Sequence, residues 1–210
     1  MRILFISLFL SILFTGNAQF ETYFENKSLR IDYQHAGNST EDFYFLDEVK
    51  IEPFWGGSRT NLIDPFGYGE YQVKVFDQSS GQLIFSRGYS TLFMEWQTTA
   101  EAKKLQKSFS ETVCIPLPRN PAQIGFYTRN REGVFEKKYE YAFSPSDYFI
   151  NPEQRMIFPV FDVQVNGDPS HKVDIVILPD GYTSRELKKF KKDCRQFAEI
   201  LFSFEPFQSN

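Results

Sequence analysis

Between residues 28 and 143 apolar and polar residues alternate in short runs, each closed by Gly, Pro, Asn or Asp, a pattern that a period-3.6 helix cannot use. In residues 28–35, Leu29, Ile31 and Tyr33 share one face while Arg30, Asp32 and Gln34 share the other, and Gly37 with Asn38 closes the run. Residues 43–51 form a second run before Pro53 and the Gly56-Gly57 pair. Residues 71–76 alternate again, and turn chemistry at 77–81 leads into 83–85, so residues 70–90 read as a hairpin. Further extended runs fall at 111–115, 124–128 and 135–143. Six or more short strands with little helix between them predict a mainly β protein, an antiparallel β-sandwich. The 24 Phe and 11 Tyr agree, because large flat side chains pack well between sheets. Residues 100–107 are the helical candidate in this stretch.

The pattern loosens between residues 144 and 168, where Ser-Pro-Ser-Asp, Asn-Pro and Asn-Gly-Asp-Pro segments follow one another, and a domain boundary is placed there. Beyond it, Val173, Ile175, Val176, Ile177 and Leu178 make a nearly continuous apolar run, the pattern of a strand covered on both faces. Pro179-Asp180-Gly181-Tyr182 ends the run. Thr183 with Glu186 is a capping-box signature, and Leu187, Phe190, Cys194, Phe197 and Leu201 recur at helical spacing behind it. Residues 161–210 therefore read as the truncated start of an α/β unit, one strand and one helix, after a β-sandwich domain at 19–160.

The first 18 residues carry one basic residue, Arg2, a short apolar core over 3–14, and small residues before a cut after Ala18: a signal peptide, which predicts an exported chain, periplasmic or extracellular. The apolar core is shorter than the roughly 20 residues a membrane span needs, so no stable membrane anchor is expected. The net charge of −4, without a block of Lys and Arg outside one helix face, argues against nucleic acid as a partner. Cys114 and Cys194 leave one disulfide open in an oxidising compartment, although the place of Cys194 on an apolar stripe suits a free thiol.

No motif supplies a catalytic, cofactor-binding or metal-binding residue. A hydrolytic zinc centre needs imidazoles and carboxylates converging on one ion, whereas His35 and His171 stand far apart and read as surface histidines. There is no Gly-x-Ser-x-Gly elbow, and the Gly56-Gly57 and Gly67-x-Gly69 pairs read as turns. Lys188, Lys189, Lys191 and Lys192 read as the solvated side of a helix before an anion-binding face. Asp180 reads as a turn residue before a site residue. Phe54-Trp55 and Met94-Glu95-Trp96 read as packing before an aromatic platform for sugar.

The segment from His171 to Thr183, with Glu186, Phe190 and Glu205-Pro206-Phe207 behind it, resembles the opening of the catalytic domain in the IgA peptidase family of secreted bacterial zinc metallopeptidases, metallopeptidase family sixty-four. Trp96, Glu111-Thr112-Val113 and Pro116-Leu117-Pro118-Arg119 resemble the β-rich domain that precedes it in many members. The resemblance implies a downstream His-Glu-x-x-His helix that binds zinc and activates water, and a protein or peptide substrate reached through that missing part. None of those positions occurs here, so no catalytic or metal residue carries over, zinc belongs to the full-length family, and this chain alone is expected to be inactive. The alternative is a secreted β-sandwich binding module for glycan or host protein. The oligomeric state is left open.

Overall fold

The computed structural model describes residues 15–151, 158–168 and 172–209, with side chains from residue 19 onward. The predicted signal peptide falls almost wholly outside the described residues, as does His171. The chain divides into two compact units, Met1–Gln154 and Arg155–Asn210.

The first unit opens with α1 (Thr15–Tyr23) and continues through β1 (Phe24–Gly37), β2 (Asp42–Glu52), β3 (Tyr71–Asp77), β4 (Leu83–Tyr89), α2 (Leu92–Gln97), β5 (Lys107–Pro118), β6 (Ala122–Arg129), β7 (Phe135–Phe143) and β8 (Ile150–Asn151). Two four-stranded sheets result, ordered β5-β1-β2-β8 and β4-β3-β6-β7. Every pairing is antiparallel except the short parallel one between β2 and β8. The protein is mainly β, a sandwich built as the alternation requires.

The inner faces follow strand parity. Leu29, Ile31 and Tyr33 of β1, with Ile115 of the neighbouring β5, face Val73 and Val75 of β3, Ile84 of β4, and Ile124 with Phe126 of β6, all within 2% of full burial. Burying each such side chain is worth roughly 1.5–3 kcal/mol, which explains why the sheets hold together along their length. Arg30, Asp32 and Gln34 point outward, where Arg30 meets Asp32 at 2.7 Å and Gln34 meets Ser110 at 2.8 Å. At the β1–β2 turn Gly37 has a φ of 153°, and a Cβ there would overlap the Glu41 carbonyl, so the tight reversal requires glycine.

The helix between β4 and β5 is not where the sequence placed it. Residues 100–104 are turns, and the helix is α2, because Phe93 and Trp96 lie three apart on one face and bury against Tyr71 and Ala102. In residues 100–107 Ala102 is buried, but Leu105, three residues on, is exposed, so no apolar pair anchors a helix there. Instead Glu101 accepts from Trp96 Nε1 at 2.7 Å and from Lys107 Nζ at 2.6 Å, pinning the turn between α2 and β5.

In the second unit a 3-10 turn (Ser184–Glu186) leads into α3 (Leu187–Leu201). The predicted strand at 173–178 does not form among the described residues. Val173, Val176 and Leu178 are exposed by 77% or more, and among the described residues of this unit no strand lies beside them to take their backbone hydrogen bonds. No helix among the described residues is long and apolar enough to cross a membrane.

Candidate functional site

His35 is the most enclosed polar side chain of the sandwich, with no exposed surface, and this corrects its reading as a surface histidine at a strand end. β1 runs two residues further than the alternation alone suggested, to Gly37, so His35 continues the inward set of Leu29, Ile31 and Tyr33. Register then supplies its surroundings. His35 pairs with Tyr44 on β2 and Phe109 on β5, and residues two positions away on those strands share the inner face: Asp42 and Glu111.

The imidazole is stacked between two rings, Phe93 at 4.0 Å and Tyr44 at 4.2 Å, with Tyr71 edge-on at 4.9 Å. Its two nitrogens face different carboxylates. Nδ1 is 3.0 Å from Oε2 of Glu111, a hydrogen bond, and Nε2 is 3.7 Å from Oδ2 of Asp42, an electrostatic contact without a hydrogen bond. The acid side chains are themselves only 7–8% exposed.

Asp42 ties this group to the opposite sheet. It accepts from the Thr128 hydroxyl of β6, which in turn accepts from Tyr44 Oη at 3.1 Å. Lys138 stands 3.3 Å from the other Asp42 oxygen. Lys138 is the extra residue of a bulge in β7, where Phe126 pairs with Tyr139 and Tyr127 with Lys137, and the bulge turns its side chain toward Asp42. Nearby, Tyr33 and Tyr89 join hydroxyl to hydroxyl.

Electrostatics follow from this enclosure. Burial pulls the His35 pKa down, but the Asp42 and Glu111 carboxylates outweigh it and leave the value raised above 6.5. For Asp42 burial pushes up, and His35, Thr128 and Lys138 together bring the value below 3.8. Burial pushes Tyr33, Tyr44, Tyr71 and Tyr89 far up, so they stay neutral around the imidazole.

The group does not fit a zinc site. Its lone pairs do not converge, since each imidazole nitrogen is directed at its own carboxylate, and among the described residues no group of three His, Cys, Asp or Glu side chains is placed to hold a metal ion. The arrangement suits storing a proton between two sheets rather than activating water.

The remaining candidates resolve into structure. Trp55 and Trp96 are buried, 7% and 9% exposed, while Phe54 is exposed. Cys114 and Cys194 are both free. A loop before β3 holds two exposed rings, Phe66 and Tyr68, stacked 5.5 Å apart and within 12° of parallel. Asp64 fixes this loop by accepting from the backbone of Phe66, Gly67 and Gly88, and Arg129 donates to the carbonyls of Gly67, Gly69 and Gly133 while stacking on Phe135.

In the second unit the Asp-Gly-Tyr-Thr segment is the cap of α3. Gly181 takes a φ of 76°, Asp180 is exposed in the turn, and Glu186 accepts from both the backbone and hydroxyl of Thr183 at 3.0 and 2.9 Å. Tyr182 packs on Phe190 and donates to Asp193 at 2.9 Å. Lys189 also reaches Asp193, at 2.7 Å, and Lys191 lies over Phe161. Two of the four lysines thus hold local contacts. Phe190, Cys194 and Ala198 form the buried stripe, whereas Leu187 and Phe197 of the expected stripe are exposed.

Compared with known families, residues 19–140 match the model described as Peptidase M64 N-terminus, and residues 161–210 match the model described as IgA Peptidase M64. No curated protein matches the chain. Because the first match alone takes in more than half of the 210 residues, with the second following it in order, the chain belongs to the IgA peptidase family M64, as its N-terminal domain and the start of its catalytic domain.

Proposed function

We propose that this chain is the N-terminal part of a secreted zinc metalloendopeptidase of the M64 family, in which the sandwich supports or orients the catalytic domain. The observation that carries this reading is the order of the two family matches along one chain, each centred on its own compact unit. The exposed run at 173–178 supports it, since an apolar segment of that kind is stabilised only when further strands or helices cover it. Export is supported by the N-terminal family match beginning at residue 19, the residue after the expected cut. The two histidines do not make a His-Glu-x-x-His motif, so the 210-residue chain is proposed to hydrolyse nothing by itself.

Two experiments test this. The purified chain, supplied with zinc and a protein substrate, is expected to give no cleavage; chelator-sensitive hydrolysis would overturn the proposed inactivity. Reading the gene and its transcript past the codon for Asn210 should find an open frame carrying His-Glu-x-x-His. A stop codon there would overturn the peptidase reading and favour a second one, a secreted binding module for glycan or host protein. The parallel, rigidly held rings of Phe66 and Tyr68 are the feature that favours that second reading.

A further inference from the structure

The buried His35 group has a property independent of any peptidase chemistry. A neutral imidazole carries a proton on one nitrogen and a lone pair on the other. With Glu111 at Nδ1 and Asp42 at Nε2, either neutral tautomer directs a lone pair at a carboxylate. Only the imidazolium presents an N–H to both. Stacking between Phe93 and Tyr44 leaves the ring no room to turn away and excludes water that would screen the repulsion.

Every element around the ring fits a cation. β1 adds Tyr33, whose hydroxyl meets Tyr89 of β4, β2 adds Asp42 and Tyr44, β3 adds Tyr71, β5 adds Glu111 and α2 adds the uncharged Phe93. β6 contributes the neutral Thr128, and β7 contributes Lys138, which meets the far oxygen of Asp42. Two carboxylates, Lys138 and an imidazolium balance to zero charge; losing the imidazolium proton leaves one buried negative charge in excess.

We propose that His35, Asp42 and Glu111 form a proton-operated latch in this end of the sandwich, closed while the imidazole is charged and loosened when its proton leaves to solvent. β1, β2 and β5 are joined through His35, and Asp42 carries the join across to β6 and β7 through Thr128 and Lys138. The direction is set by the sign of each partner. A histidine stabilised in its charged form contributes fully below its unfolded-state value, about 6.5, and the contribution is lost as pH rises through the higher folded-state value. The sandwich is therefore tightest below about pH 6.5 and loosens as pH rises through the higher folded-state value. For a chain proposed to be exported, that is a response to the pH of the surroundings.

The test uses the 210-residue chain, with His35 and His171 as its two histidines, so a His171→Gln variant reports His35 alone in an imidazole NMR titration. The expected result is a His35 midpoint above 6.5, a thermal midpoint that falls over the same pH window, and lower amide protection factors, corrected for the intrinsic exchange rate at each pH, in β1, β2 and β5 above that midpoint. Asp42→Asn should lower the His35 midpoint. A His35 midpoint at or below 6.5, or a thermal midpoint flat across the titration, would overturn the latch. Because the titration is read on a chain that keeps His35, the test does not depend on whether a His35 variant folds.

Discussion

Tyr33 of one sheet and Tyr89 of the other meet hydroxyl to hydroxyl at 3.1 Å, so the two sheets are joined by a directed bond as well as by apolar contact. Tyr33 is 2% exposed and also packs edge-on against Phe126, 5.1 Å between centroids. Tyr33→Phe keeps the ring and removes only the hydroxyl. It should destabilise the sandwich by about 1–2 kcal/mol, because the Tyr89 oxygen loses its partner in a half-buried site. The double variant with Tyr89→Phe should cost less than the sum of the two singles in urea unfolding; strict additivity would mean the bond is not made.

Arg129 holds three carbonyls, those of Gly67, Gly69 and Gly133, and its guanidinium lies 4.2 Å from the centroid of Phe135. Lysine has neither the planar fork nor the stacking face. Arg129→Lys should therefore loosen the 64–69 loop more than the sandwich core. Limited chymotrypsin digestion should then cut faster after Phe66 and Tyr68, both already exposed, while the thermal midpoint drops by only a few degrees.

Three aspartates set the acid limit of the first unit. For Asp42, burial pushes up but His35 and Thr128 outweigh it. For Asp64, burial again pushes up and the backbone N–H groups of Phe66, Gly67 and Gly88 outweigh it. Asp77 is held low by Ser79 and Ser80. A carboxylate with a depressed folded-state value contributes stability above its unfolded value and loses it as pH falls through the folded one. Stability should thus hold at pH 5 and fall progressively below about 4, near the ordinary aspartate value. Asp77→Asn should flatten part of that acid limb in a thermal scan against pH by lowering the midpoint at neutrality, where the charged hydrogen bonds from Ser79 and Ser80 are lost, more than at acid pH.

The strands were legible because alternation is a local signal: β1, β3, β6 and β7 begin and end within a few residues of the runs that announced them. The parity of 29, 31 and 33 also pointed to His35 as an inward residue, and only the assumption that the strand stopped there hid it. Its partners were not legible. Asp42 and Glu111 are brought to His35 by a hairpin and by a pairing across 76 residues, and which strand lies beside β1 is a property of sheet order, not of any one segment. The bulge that aims Lys138 at Asp42 leaves no signature in a run that alternates well on either side. α2 escaped because its helical signal is a single pair, Phe93 and Trp96, supported by tertiary burial rather than by propensity. The capping box at Thr183 was legible because both partners lie within one turn. The apolar run behind it was legible as composition but not as structure, since a strand exists only with a neighbour.

Amide hydrogen exchange on the purified 210-residue chain tests most directly whether the sandwich completes its own core while the peptidase segment depends on cover from elsewhere. Slow exchange is expected in β1, β3, β5 and β6 and along the buried stripe of α3, with exchange at 173–178 as fast as in an unstructured peptide. Protection at 173–178 equal to that of β1 would contradict this, because it would mean those residues already have a strand partner within the chain.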